Sequence, residues 1–227
     1  MLCLCSAATS AAEPDLGKAR EQILQQVNDF RGSQKLGPVE ADAELQKVAE
    51  EFAKYMARTG RYGHNADGRT PTERAEAAGY DYCIVSENIA YRFNSAGFTS
   101  AELTDGFFEG WKDSPEHRHN MLDADVTQTG MAIAKGDGHT YYAVQMFGRP
   151  KSMQITFKLA NRSGENVEYT LGGETFDLPP RYTRTHHVCR PPSVKLPWRQ
   201  EPLKPADGEE YVVEAGDGGL TITRSSE

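Results

Sequence analysis

At 227 residues, with 38% apolar and 26% charged side chains, the chain is long enough for one ordinary core and a smaller second one, because domains cluster near roughly 100–150 residues. A formal net charge of −8 disfavours attraction to phosphate backbones and anionic bilayers, so no nucleic-acid partner is expected. Beyond the N-terminus no stretch approaches the roughly 20 apolar residues of a membrane span.

Residues 1–12 are small, apolar and uncharged and end in Thr9-Ser10-Ala11-Ala12. Small residues just before a cut suit signal peptidase, so the stretch reads as the remnant of a secretory signal whose basic first part is missing. The alternative is a merely disordered N-terminus. Cleavage removes Cys3 and Cys5 and leaves Cys83 and Cys189. An oxidising compartment could join these two if their Cα atoms lie about 4.4–6.8 Å apart. Neither belongs to a Cys-x-x-Cys pair, so a zinc ribbon or thioredoxin-type site has no support.

From Asp15 to Arg31, Leu16, Ala19, Ile23, Val27 and Phe30 recur at steps of three and four, the apolar stripe of an amphipathic helix. Leu45, Val48, Ala49, Phe52, Ala53 and Met56 repeat it in a second helix, with Gly60 as its stop. Arg69 to Ala78 predicts a short third helix entered through Thr70-Pro71, and Ala101 to Trp111 a fourth. The period then falls to two: Thr127 to Lys135 and His139 to Phe147 flank Gly136-Asp137-Gly138 as a hairpin. Helices beside a small sheet imply a layered α+β domain over residues 15–149. Residues 150–227 show only short alternating runs between Gly172-Gly173, Pro179-Pro180, Pro191-Pro192 and Gly216 to Gly219. They predict a small all-β, sandwich-like domain that carries no recognisable chemical motif.

Three packets of polar residues stand beside apolar anchors: Gly63-His64-Asn65, Ser86-Glu87-Asn88-Ile89-Ala90, and Trp111 to Leu122 with its Ser114-Pro115-Glu116-His117-Arg118-His119-Asn120 core. Glu87 between Val85 and Ile89 is partly enclosed and needs a donor or a cation, for which His64 in its glycine-flanked loop is the natural candidate. Asn65, Asp67 and Asn88 suit caps and turns. His119, His139, His186 and His187 read as exposed, and Tyr141, Tyr142, Phe107, Phe108 and Trp111 as core.

These packets, in order with Asn28-Asp29-Phe30-Arg31, the second helix and Ala143-Val144-Gln145-Met146-Phe147-Gly148, resemble the CAP superfamily. This SCP-like group comprises the cysteine-rich secretory, antigen 5 and pathogenesis-related 1 proteins; the likeness is to its disulfide-poor bacterial form and covers about residues 18–149. It implies a three-layer α-β-α sandwich whose central cleft is lined here by His64, Glu87, Asn88, Glu116, His117, Tyr142 and Gln145. Departures are plain: Ser86 replaces a usual glycine, Tyr142 stands where eukaryotic members carry a histidine, and Asp113 or Glu116 must serve for a second acidic residue.

The resemblance leaves three readings. One is a secreted or periplasmic monomeric binding module for a small apolar, glycan or protein ligand, with no required cofactor. A second is a metal-assisted hydrolase, in which His64, Glu87 and His117 hold zinc and Glu87 is the general base. In the third the polar network only clasps the fold.

Overall fold

The computed structural model of the protein describes residues 13–225, so the signal-like stretch lies outside the described residues. The chain divides into two compact units at Pro150/Lys151. Each has its own core.

The helices of the first unit start and stop where local chemistry directs. Helix α1 (Leu16–Ser33) is capped by Asp15, whose carboxylate accepts from the Lys18 amide. Helix α2 (Ala43–Thr59) is capped by Asp42 and stops at Gly60, where φ is 67°. Capping boxes open α3 (Pro71–Ala78), through Thr70 and Glu73, and α4 (Ser100–Asp113), through Thr99 and Glu102. The polar run after Trp111 is broken. Ser114 is extended, with ψ 121°, because Pro115 follows it, and Pro115 then opens a separate short helix, α5 (Pro115–Met121).

One sheet runs through this unit in the order β1-β3-β4-β2, from β1 (Glu40–Ala41), β2 (Tyr82–Phe93), β3 (Gln128–Lys135) and β4 (Thr140–Pro150). The β3–β4 hairpin agrees with its period-two pattern. Strand β2 does not announce itself, because both of its faces are covered over its middle, Glu87 to Ile89, and its apolar and polar residues there fail to alternate. Glu87 pairs with Met146, Ile89 with Val144 and Tyr91 with Tyr142. Ile89, Val144 and Met146 pack with Leu45, Phe52 and Met56 of α2 on one side. Ala143 and Phe147 pack with Ile23, Leu103, Phe107 and Trp111 on the other. A fully buried side chain of this size contributes about 1.5–3 kcal/mol, so helices on both faces of one sheet account for the three layers. Gly130 lets α2 lie directly on β3: a Cβ there would sit 2.2 Å from the Leu45 carbonyl carbon.

The second unit follows a single turn, Lys151–Met153, and is all β. Strands β5 (Ile155–Asn161), β8 (Thr183–Val188), β10 (Glu210–Gly216) and β11 (Gly219–Arg224) form a sheet in the order β11-β10-β5-β8. A smaller sheet has the order β7-β6-β9, from β6 (Val167–Leu171), β7 (Glu174–Leu178) and β9 (Val194–Lys195). Gly172 and Gly173, at φ 62° and 88°, make the β6–β7 turn that side chains would resist.

One expectation is corrected here. His186 is not exposed but buried against Phe157 and Phe176, with Nε2 2.6 Å from the Tyr169 hydroxyl. Strand alternation turns it inward while His187 faces out, which sequence adjacency conceals. Burial, with Arg184 and His187 nearby, pushes its pKa below the usual 6.5. The unfolded chain therefore takes up this proton first, and the stability from neutral His186 is present above pH about 6.5 and lost as pH falls toward the folded value. Chemical denaturation between pH 7 and 5 should show that decline, and His186→Gln should flatten it.

Candidate functional site

Strand alternation turns Glu87 toward the α2–α3 layer and Asn88 toward α5, so adjacent residues serve opposite faces. The side chain of Glu87 is fully buried, and both of its oxygens are engaged. His64, in the turn after α2, reaches Oε1 from Nδ1 at 2.7 Å. A carboxylate can only accept, so Nδ1 carries the hydrogen of that bond. Arg74 of α3 donates from Nη2 to Oε2 at 2.7 Å. The same guanidinium donates to the His64 carbonyl at 2.9 Å and to Asp67 at 2.9 Å, and its carbon lies 3.6 Å from the centre of the Phe52 ring.

On the other face, Asn88 donates to the His117 carbonyl at 3.0 Å, and Asn120 donates to the Asn88 side-chain oxygen at 2.9 Å. Asn120 also reaches the Glu87 carbonyl at 3.3 Å. These bonds tie α5 to β2. Gln145, fully buried on this face, donates to Thr129 Oγ1 at 3.3 Å.

Beside this clasp runs an open groove of about 250 Å³. Tyr62, Ile89, Tyr91, Gly110, Trp111 and His117 line it. Tyr62 and Trp111 both donate to the Ile89 carbonyl, at 3.1 and 3.3 Å. The Tyr62 and Tyr91 rings meet edge to face at 5.0 Å, and Tyr142 supports Tyr91 from 6.0 Å. Burial, reinforced by His64, pushes the His117 pKa below its usual value despite the opposing pull of Glu116. Its Nδ1 is buried without a hydrogen-bond partner.

The seven anticipated residues thus fall into five places. His64 and Glu87 are bonded to each other; His117 lines the neighbouring groove; Tyr142 lies on the Glu87 face beneath Tyr91; and Asn88 and Gln145 belong to the opposite face. Glu116 is exposed on α5 and does not line the groove. Arg74 escaped the sequence reading, although the question of what cation answers Glu87 pointed to such a residue. Tyr62 and Tyr91 carried no signal, since exposed tyrosines are unremarkable until two of them meet.

His64, Glu87 and His117 do not fit a resident divalent ion as arranged. Among the described residues no group of three or more His, Cys, Asp or Glu side chains is placed to hold one. The Arg74 guanidinium already supplies the positive charge that Glu87 requires. Cys83 and Cys189 are both disulfide-bonded, and no described helix is long and apolar enough to cross a membrane.

Comparison with known proteins accounts for this architecture. An uncharacterized protein of Borreliella burgdorferi is 23% identical over 129 residues, covering 57% of this chain and 77% of its own. The solved outer surface protein of Borrelia burgdorferi superposes with a TM-score of 0.53 at 21% identity, over 60% of this chain and 96% of that one. An extracellular SCP-domain protein of Bacillus anthracis gives a TM-score of 0.48 at 23% identity, over 59% of this chain and 41% of that one. Residues 24–147 match the family described as CAP, the cysteine-rich secretory protein family. That match spans more than half of the sequence, and the chain belongs to the CAP family.

Proposed function

We propose that the protein is a secreted binding module that takes its ligand in the groove between Tyr62 and His117, with the buried Glu87 network shaping that groove rather than performing chemistry. The observation that carries this reading is the contrast between the two neighbours. Both Glu87 oxygens are held by His64 and Arg74, so Glu87 is not presented as a free base. The adjacent groove is open and displays Tyr62 and Tyr91, 47% and 56% exposed. Paired tyrosines offer flat apolar faces with polar edges, the chemistry of a recognition surface. Disulfide-bonded Cys83 and Cys189 favour an oxidising compartment, outside the cell or in a periplasm.

Titration of the labelled protein with lipids, cell-wall fragments, glycans and peptides tests the reading by NMR. A ligand should shift the resonances of Tyr62, Tyr91 and His117, and the double replacement Tyr62→Ala/Tyr91→Ala should abolish the response. No shift from any member of the library would overturn it. The hydrolase reading makes a separate demand, zinc binding that His64→Ala removes. Calorimetry on the wild type is expected to show none tighter than about millimolar.

A further inference from the structure

We infer that the groove admits an extended, basic peptide segment, which adds as a strand to the free edge of β2. This rests on the reading of the groove as a binding surface and names its occupant. Among the described residues, strand β2 is an edge of its sheet and pairs only with β4. The outward main-chain groups are identified by what plugs them: the Glu87 carbonyl accepts from Asn120, and the Ile89 carbonyl from Tyr62 and Trp111. Backbone direction alternates along a strand, so the next outward residues are Tyr91 and Phe93. Among the described residues no side chain caps their outward amides or carbonyls. Their rings are 56% and 64% exposed. Where the protein blunts its edge at two successive outward positions, it leaves the following two open, and an unblunted edge with exposed aromatics is a template for strand addition.

Charge selects the occupant. Arg92, Gly106 and Gly110 line both this groove and a wider hollow of about 600 Å³ beside it. The hollow is faced by Glu102, Asp105, Glu109 and Asp113, one stripe along α4. Arg92 is drawn onto the Gly106 carbonyl at 2.8 Å, and Lys112 offsets Glu109 alone. A strand laid on Tyr91 and Phe93 therefore runs beside net negative charge. A second copy of this chain would bring its own acidic stripe against this one, whereas a segment carrying lysine or arginine is attracted.

The test uses the whole protein and a labelled peptide of about eight alternating lysine and valine residues, a common strand length. Fluorescence anisotropy should show binding that weakens as salt screens the stripe. Methylating alternate amides of the peptide should abolish it, with the protein unchanged. Phe93→Pro should weaken it about tenfold or more, because that amide points away from β4 and its loss spares the sheet. Glu109→Lys with Asp113→Lys should reduce it further, and a glutamate–valine peptide should not bind. Undiminished binding of the methylated peptide, or of Phe93→Pro, would overturn the inference. So would a dimer that forms through β2 in sedimentation and is lost in Phe93→Pro. If no peptide binds while a glycan or lipid shifts the groove resonances, this inference falls and the binding-module reading stands. If nothing binds, both fall.

Discussion

Arg74→Ala should destabilise the first unit by about 3–5 kcal/mol, the cost of leaving a buried carboxylate without its cation. The side chains of Glu87 and Arg74 are 0% and 3% exposed, so water cannot replace the lost partner. His64, about half exposed, cannot compensate alone: its single hydrogen bond answers one oxygen and leaves Oε2 unpaired. For a chain of this size the melting temperature should fall by roughly 6–20 °C. Glu87→Gln should cost less, since Arg74 keeps Asp67 as its charged partner at 2.9 Å and the amide oxygen can still accept from it. The double replacement Arg74→Met/Glu87→Gln should cost less than the sum, because removing both charges also removes their burial penalty. Additive losses in that cycle, measured by urea denaturation, would show that the two residues do not act as a pair.

Arg31→Met is expected to lose a comparable amount, about 3–5 kcal/mol, for a different reason. Arg31 is 1% exposed, and its guanidinium donates to the carbonyls of Gly37, Met121, Asp123 and Val126 at 2.8–3.2 Å. It holds the C-terminal end of α5 and the loop into β3 against α1. Methionine keeps the apolar stem and removes every donor, leaving main-chain oxygens without partners. Arg31→Lys should rescue little, because a point charge cannot reach four acceptors spread around a planar fork. Hydrogen exchange should quicken between α5 and β3 before it does in the hairpin. Protection unchanged in that segment would argue that the carbonyls find other donors.

The two residues show what kind of information each level holds. Arg31 belongs to a run, Asn28 to Arg31, that marks the family by its composition, yet nothing local says that its partners lie about ninety residues away. The need of Glu87 for a partner was legible from the apolar residues around it, and His64 was found on that ground. Arg74 was not, because an arginine in a short helix looks solvated until the helix is packed. The split of the Trp111 to Leu122 stretch was foreshadowed by Ser114-Pro115. That it would place Asn120 and the His117 carbonyl around Asn88 was not.

The sequence by itself determined the helices of the first unit, the β3–β4 hairpin, the all-β character of residues 150–227 and membership in the CAP family, because apolar period, caps and turn residues act over a few positions. Only the tertiary structure decided that β2 is a strand, that Glu87 pairs with an arginine as well as with His64, that His186 is buried, and that Tyr91 and Phe93 stand on an edge of the sheet beside an acidic helix. Each of these depends on which groups are brought together after the chain closes on itself. Burial and charge pairing are properties of that arrangement, and no short window of sequence contains both partners.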